Sequence, residues 1–158
     1  MTVTRYVEVV LTIPDNEAET ALTTLRRLGV HVDELRRSDL YRIEVEPERE
    51  GTLLETLREI ETIYNPNKHA LRLRSDVAPQ PGEAWIDEPK TVDSARGPVH
   101  IAGRVLPGVW GLERLVAWQL SDSLGKPASA EVVARAAETL LCNPAFKRAT
   151  TNSHIRPK

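Results

Sequence analysis

The stretch Tyr6-Val7-Glu8-Val9-Val10-Leu11-Thr12-Ile13, closed by Pro14, decides how the rest of the chain is read. Val7, Val9, Leu11 and Ile13 recur at period two, the spacing of a strand that buries one face. Val10 makes the opposite face partly apolar as well. Immediately downstream, Asn16 and Glu19 have capping-box spacing, and Ala18, Ala21, Leu22, Leu25 and Leu28 fall on one helical stripe. Gly29 then stands where a left-handed helix cap is wanted.

The alternation continues. Val30 to Glu46 holds a second extended stretch in which Tyr41, Ile43 and Val45 alternate with Arg42, Glu44 and Glu46. Arg36 to Asp39 has the look of a bend or hairpin, so the stretch is either one long bent strand or two short ones. Thr52 with Glu55 offers a cap pair for a second helix carrying Leu53, Leu54, Leu57, Ile60 and Tyr64. Asn65-Pro66 ends it, because proline disfavours helical geometry in the residue before it and brings no amide hydrogen. Lys68 to Arg74 then alternates again, with His69, Leu71 and Leu73 on one face. Two helices can cover one face of such a sheet, so the expected fold is α+β, a ferredoxin-like antiparallel sheet over residues 1–75 with helices on one face. Its other face, with Val10, Leu35, Leu40 and Ala70 among charged groups, is expected to seek another sheet or a second copy of the chain.

Residues 76–98 change character. Pro79, Pro81, Gly82, Pro89, Gly97 and Pro98 punctuate a polar stretch, read as a linker anchored by Trp85. A second, smaller α/β or helical part is expected over 99–146: a strand-like run Val99–Leu106, then a helix from Val109, Leu112, Val116 and Leu120 to Leu124-Gly125. A last helix, capped by Ser129, carries Val133, Ala137, Leu140 and Leu141 and stops at Asn143-Pro144. Residues 147–158 form a basic tail. The two halves echo each other in Leu28-Gly29 and Leu124-Gly125, and in Tyr64-Asn65-Pro66 and Cys142-Asn143-Pro144. Glycine to proline is longer in the first half, so a second copy would lack the central strands.

These residues resemble the small PurS subunit of phosphoribosylformylglycinamidine synthase. The resemblance covers residues 5–74 best, through the element order, Leu28-Gly29, the arginine turn leading into Tyr41-Arg42-Ile43-Glu44-Val45-Glu46, and the helix ending in Asn65-Pro66. A Pro-Gly-Val segment that the family carries before its first helix is found at Leu106-Pro107-Gly108-Val109, and Leu140 to Pro144 is similar to its second-helix ending. Two partial PurS-like units are thus expected. The chain departs from the family in having Pro14-Asp15 and Ser38-Asp39 where Asp-Pro and Gly-Lys are usual, and in its length. The resemblance implies a non-catalytic assembly subunit bridging a synthetase and a glutaminase, with Arg37, Tyr64, Asn65, Pro66, Asn143 and Pro144 as partner-contact residues. The alternative is a ferredoxin-like module that senses a small molecule.

Composition fits a soluble domain. Of 158 residues 41% are hydrophobic, and 21 basic against 23 acidic residues leave a net charge of -2, which gives no general pull toward phosphate backbones. The basic tail (Lys147, Arg148, Arg156, Lys158) is the one candidate for nucleic acid, and three Trp, three Tyr and one Phe leave little for base stacking. One cysteine excludes an internal disulfide and fits a cytoplasmic setting; no apolar run reaches a membrane span's length. No phosphate loop, dinucleotide fingerprint, nucleophile elbow or zinc-ligand spacing is present, so neither a cofactor, a metal nor an activity of the isolated chain is expected. His31, His69 and Cys142 are read as structural. Glu44, Glu46, Glu48 and Glu50 read as a solvated acidic run, and Arg36, Arg37, Arg72 and Arg74 as their salt-bridge partners or a phosphate patch. Trp110 and Trp118, eight residues apart, fall near one another around a helix, which fits either a second-half core or a subunit contact, with core as the default reading.

Overall fold

The computed structural model describes residues 1–87, 98–142 and 148–152. Along the chain these form strand β1 (Val3–Leu11), helix α1 (Asn16–Arg27), strand β2 (Glu34–Val45), a 3-10 turn (Pro47–Thr52), helix α2 (Leu53–Arg58) and strand β3 (His69–Arg74). There follow β4 (Glu83–Asp87), the short pair β5 (His100–Ile101) and β6 (Arg104–Val105), β7 (Val109–Ser121), α3 (Ala130–Ala136) with a π-helical extension Ala137–Leu141, and β8 (Arg148–Thr151). The fold is α+β, with a mostly antiparallel six-stranded sheet in the order β3-β1-β2-β7-β4-β8 and three helices among the described residues.

The described residues divide into two compact units. The first comprises 1–13, 39–77 and 98–115; the second 14–38, 78–87, 116–142 and 148–152. Each has its own core. In the first, Val7 and Val9 of β1 and Ile43 and Val45 of β2 meet Leu53, Leu57 and Ile60, with Val99, Leu106 and Leu112 completing the cluster. In the second, Leu22 and Leu25 of α1 pack with Leu35, Ile86 and Leu120 and with Val133, Ala136 and Leu141. The two helices of the N-terminal half therefore serve different cores. Each fully buried aliphatic side chain contributes roughly 1.5–3 kcal/mol of transfer free energy to its core.

Local chemistry explains the elements. Asp15, not Asn16, caps α1: its Oδ1 accepts from the backbone N–H of Glu17 (3.0 Å) and of Ala18 (3.1 Å). The far end closes as a Schellman motif, Val30 N–H donating to Leu25 O at 2.9 Å and Gly29 N–H to Arg26 O at 3.1 Å, with Val30 and Leu25 both in the second core. Ser129 caps α3 as expected, its Oγ accepting from Val132 N–H. Thr52 makes no side-chain cap; its hydroxyl donates to Arg49 O instead.

Of the two readings of Val30 to Glu46, the single long strand is the one found, β2 running unbroken from Glu34 to Val45. Three expectations are corrected. Residues 147–158, read as a basic tail, contain the strand β8 at Arg148–Thr151. The stretch read as a linker contains β4, in which Glu83 to Ile86 are all buried. The largest change is at Val109–Ser121, expected to be helical and found as the 13-residue strand β7. Val109, Leu112, Val116 and Leu120 do have helical spacing, but Leu115 and Ala117 are buried too, and a strand buried on both faces shows no period of two.

With β7 in place the halves match more closely than their sequence echo. The first runs β1, α1, β2, α2, β3; the second runs β4, the β5-β6 pair, β7, α3, β8. Counterparts are nearly evenly offset: β1 begins at Val3 and β4 at Glu83, β2 at Glu34 and β7 at Val109, α2 at Leu53 and α3 at Ala130, β3 at His69 and β8 at Arg148. The sheet order read from its β3 edge is the same succession as that read from its β8 edge. The antiparallel pairs β1–β3 and β4–β8 correspond as well. In this alignment Asn65-Pro66 answers Asn143-Pro144, whereas Leu28-Gly29, before β2, has no counterpart in Leu124-Gly125, after β7.

Candidate functional site

The second unit holds a cleft of about 520 Å³, within the range of small-molecule sites. One wall is the polar side of α1, where Asn16, Thr20 and Thr24 recur every four residues. Its floor is apolar: Ile86 of β4, Val116 of β7, and Leu140 and Leu141 of the π-helical extension. Arg37 of β2 and Trp118 of β7 complete the lining.

Arg37 is fixed on several sides. Its Nε donates to Asp15 Oδ2 at 3.2 Å, its Nη2 to Asp15 Oδ1 at 3.3 Å, and its Nη1 pairs with Glu17. The guanidinium carbon lies 5.9 Å from the centre of the Trp118 ring, at the outer limit of a cation–π contact. The side chains of Arg37 and Asp15 are mostly buried, whereas that of Glu17 is 71% exposed. Two carboxylates therefore face one guanidinium, and of the two it is Glu17 that lines the cleft. Thr20 Oγ1 donates to Asn16 O (2.8 Å) and Thr24 Oγ1 to Thr20 O (2.9 Å). Each hydroxyl has spent its only donor, so each offers its oxygen solely as an acceptor.

Of the described residues expected to contact partners, Arg37 alone belongs to this cleft. Tyr64, Asn65 and Pro66 lie in the first unit and form the turn from α2 into β3. There Asn65 N–H donates to His69 Nδ1 (3.0 Å), Asn65 Oδ1 accepts from Asn67 N–H (2.9 Å), and the Tyr64 and His69 rings sit 6.4 Å apart. His69 is thus a turn-fixing acceptor. Asn143, Pro144 and the tail beyond Asn152 lie outside the described residues.

The remaining candidates have structural surroundings. His31 is exposed after α1, and Cys142 is a buried thiol. Glu46 Oε1 accepts from Trp110 Nε1 (2.9 Å), Glu50 pairs with Arg5, and Glu44 lies against Gly111. Among the described residues no three His, Cys, Asp or Glu side chains converge on a point that could hold a metal ion. Arg72 and Arg74 both pair with Glu8, and Arg74 also with Asp76, an ion-pair network in the first unit in which Glu8 and Arg74 are buried and Arg72 is exposed. No described helix is long and apolar enough to cross a membrane.

Sequence reasoning missed Asp15 and Trp118. Asp15 stood one residue before the position given the cap. Trp118 was assigned to a helix that is a strand, and the recurrence of Asn16, Thr20 and Thr24 was the available signal for the polar wall. Comparison of the sequence with protein-family models and with curated proteins gives no match.

Proposed function

We propose that this protein is a non-catalytic assembly subunit built from two related α/β repeats, and within that class a PurS-like adaptor that bridges the synthetase and glutaminase of a purine-pathway amidotransferase. The observation that carries the reading is the repeated element order, β1-α1-β2-α2-β3 answered by β4 to β8 at a nearly even offset. In a ferredoxin-like unit the first and last strands are antiparallel neighbours, and β1–β3 and β4–β8 each have that relation. Two of the sequence features that suggested PurS, Leu28-Gly29 and Asn65-Pro66, sit at a helix cap and at the turn into β3.

In this reading Arg37, Tyr64, Asn65, Pro66, Asn143 and Pro144 contact the larger subunits, and copies of the chain associate through a sheet face. Val10 and Ala70, paired across β1 and β3, are the residues of that face with surface left to bury, Val10 being half-buried and Ala70 exposed. Leu35 and Leu40 are already buried within the chain.

The test is affinity purification of the tagged full chain from its native cells. The reading expects the amidotransferase synthetase and its glutaminase to co-purify, and a Tyr64→Ala, Pro66→Ala variant to recover less of both. Recovery of neither subunit, together with purine-independent growth of cells lacking the chain, would overturn it.

A further inference from the structure

We infer that the cleft of the second unit is a binding site for a small organic cation, an amine carried on an aromatic or branched apolar body. This goes beyond an assembly role and does not depend on it.

The size of the cleft, about 520 Å³, accommodates a ligand of that kind. The floor of Ile86, Val116 and Leu140 offers no hydrogen bond and favours an apolar body. The polar wall selects the other end. Thr20 and Thr24 present only acceptors, because their hydroxyl protons are held by helix carbonyls, so they match a ligand that donates. Charge points the same way. Asp15 holds Arg37 with both oxygens from outside the lining, so the mostly exposed carboxylate of Glu17 is the lining charge left to meet a ligand, and it favours a cation. Glu17 is mostly exposed and belongs to no core, so its carboxylate can exchange the Arg37 nitrogen for a ligand ammonium without unpacking anything. The ring of Trp118 lines the cleft and offers the apolar body of the ligand a surface to stack on.

The experiment uses the full chain with phenethylamine as probe and 3-phenylpropionate, of similar shape and opposite charge, as its control, titrated by calorimetry. Phenethylamine is expected to bind with a Kd on the order of 1 mM or tighter. Glu17→Gln is expected to weaken it about three- to fivefold and Thr20→Val by a similar factor, while Glu48→Gln in the first unit leaves it unchanged. Glu17 and Thr20 are exposed, so these variants should fold, and a circular dichroism melt checks that they do. Equal or tighter binding of 3-phenylpropionate, no detectable binding of phenethylamine at 10 mM (about ten times the expected Kd), or affinities unaltered in both cleft variants would overturn the inference.

Discussion

Asp15 performs two tasks with one carboxylate: it caps α1 through Oδ1 and grips Arg37 through both oxygens. The start of a helix and the orientation of a cleft residue are thereby the same structural fact. Any change at Asp15 must move both.

Asp15→Ala is accordingly expected to cost about 1–2 kcal/mol of unfolding free energy, the sum of a lost cap and a weakened ion pair. Asp15→Asn retains a capping oxygen and loses only the charge, so its cost is smaller. Urea denaturation of the two variants measures the difference: equal losses would mean that the cap adds nothing, and an Asp15→Asn variant as stable as the wild type would mean that the charge pairing with Arg37 adds nothing.

In the first unit Glu8 and Arg74 are a buried pair, 5% and 8% exposed. Arg74→Met leaves Glu8 with Arg72, whose side chain is 67% exposed, and is expected to cost roughly 3 kcal/mol. The double change Glu8→Leu with Arg74→Met removes both buried charges and is expected to recover much of that loss. A double variant as unstable as the sum of the two single ones would contradict this.

Gly82 and Gly125 share a left-handed backbone, φ +80° in both, but not their surroundings. A Cβ at Gly125 meets nothing within 4 Å, whereas one at Gly82 lies 2.7 Å from the backbone oxygen of Leu120. Gly125→Ala is expected to lower stability by about 1 kcal/mol, the conformational term alone. Gly82→Ala should lose clearly more, because the edge of β7 cannot retreat as a flexible side chain would. Thermal melts of the two variants compare them directly.

Much of the N-terminal half was legible. β1, α1 with its Gly29 cap, and β3 follow from period two, period 3.6 and a helix stop, each written in adjacent residues. Arg37 is a site residue only through the resemblance to PurS; its place in the cleft is set by the distant Asp15 and Trp118 and is not written in adjacent residues. The second half was harder because its strands lack local signals. β4 has five residues between proline- and glycine-rich flanks, and its identity comes from burial of Ala84 and Ile86 against distant residues. β7 is apolar on both faces in the middle, so its spacing imitates a helix. Trp118 and the cleft floor could not be found until that strand was placed.

Glu83 illustrates the same limit. It is 5% exposed in β4, its Oε1 accepting from Trp85 Nε1 (2.7 Å) and from Gln80 N–H (3.1 Å). Glu83→Leu is expected to cost about 1–3 kcal/mol, since two donors lose this acceptor in a dry site. Glu83→Gln, which keeps an oxygen there, should cost less, as denaturant titration can establish.

The doubled succession of strands and helices has an evolutionary corollary. Two identical subunits must accept every substitution twice, once on each side of their symmetry axis. A polypeptide that carries both copies in tandem escapes that obligation: selection can sharpen Asp15 and Arg37 in the first copy and Trp118 in the second without imposing the same residues on their counterparts. The arithmetic of any complex it joins changes too, since one such molecule occupies the place that two separate protomers would fill.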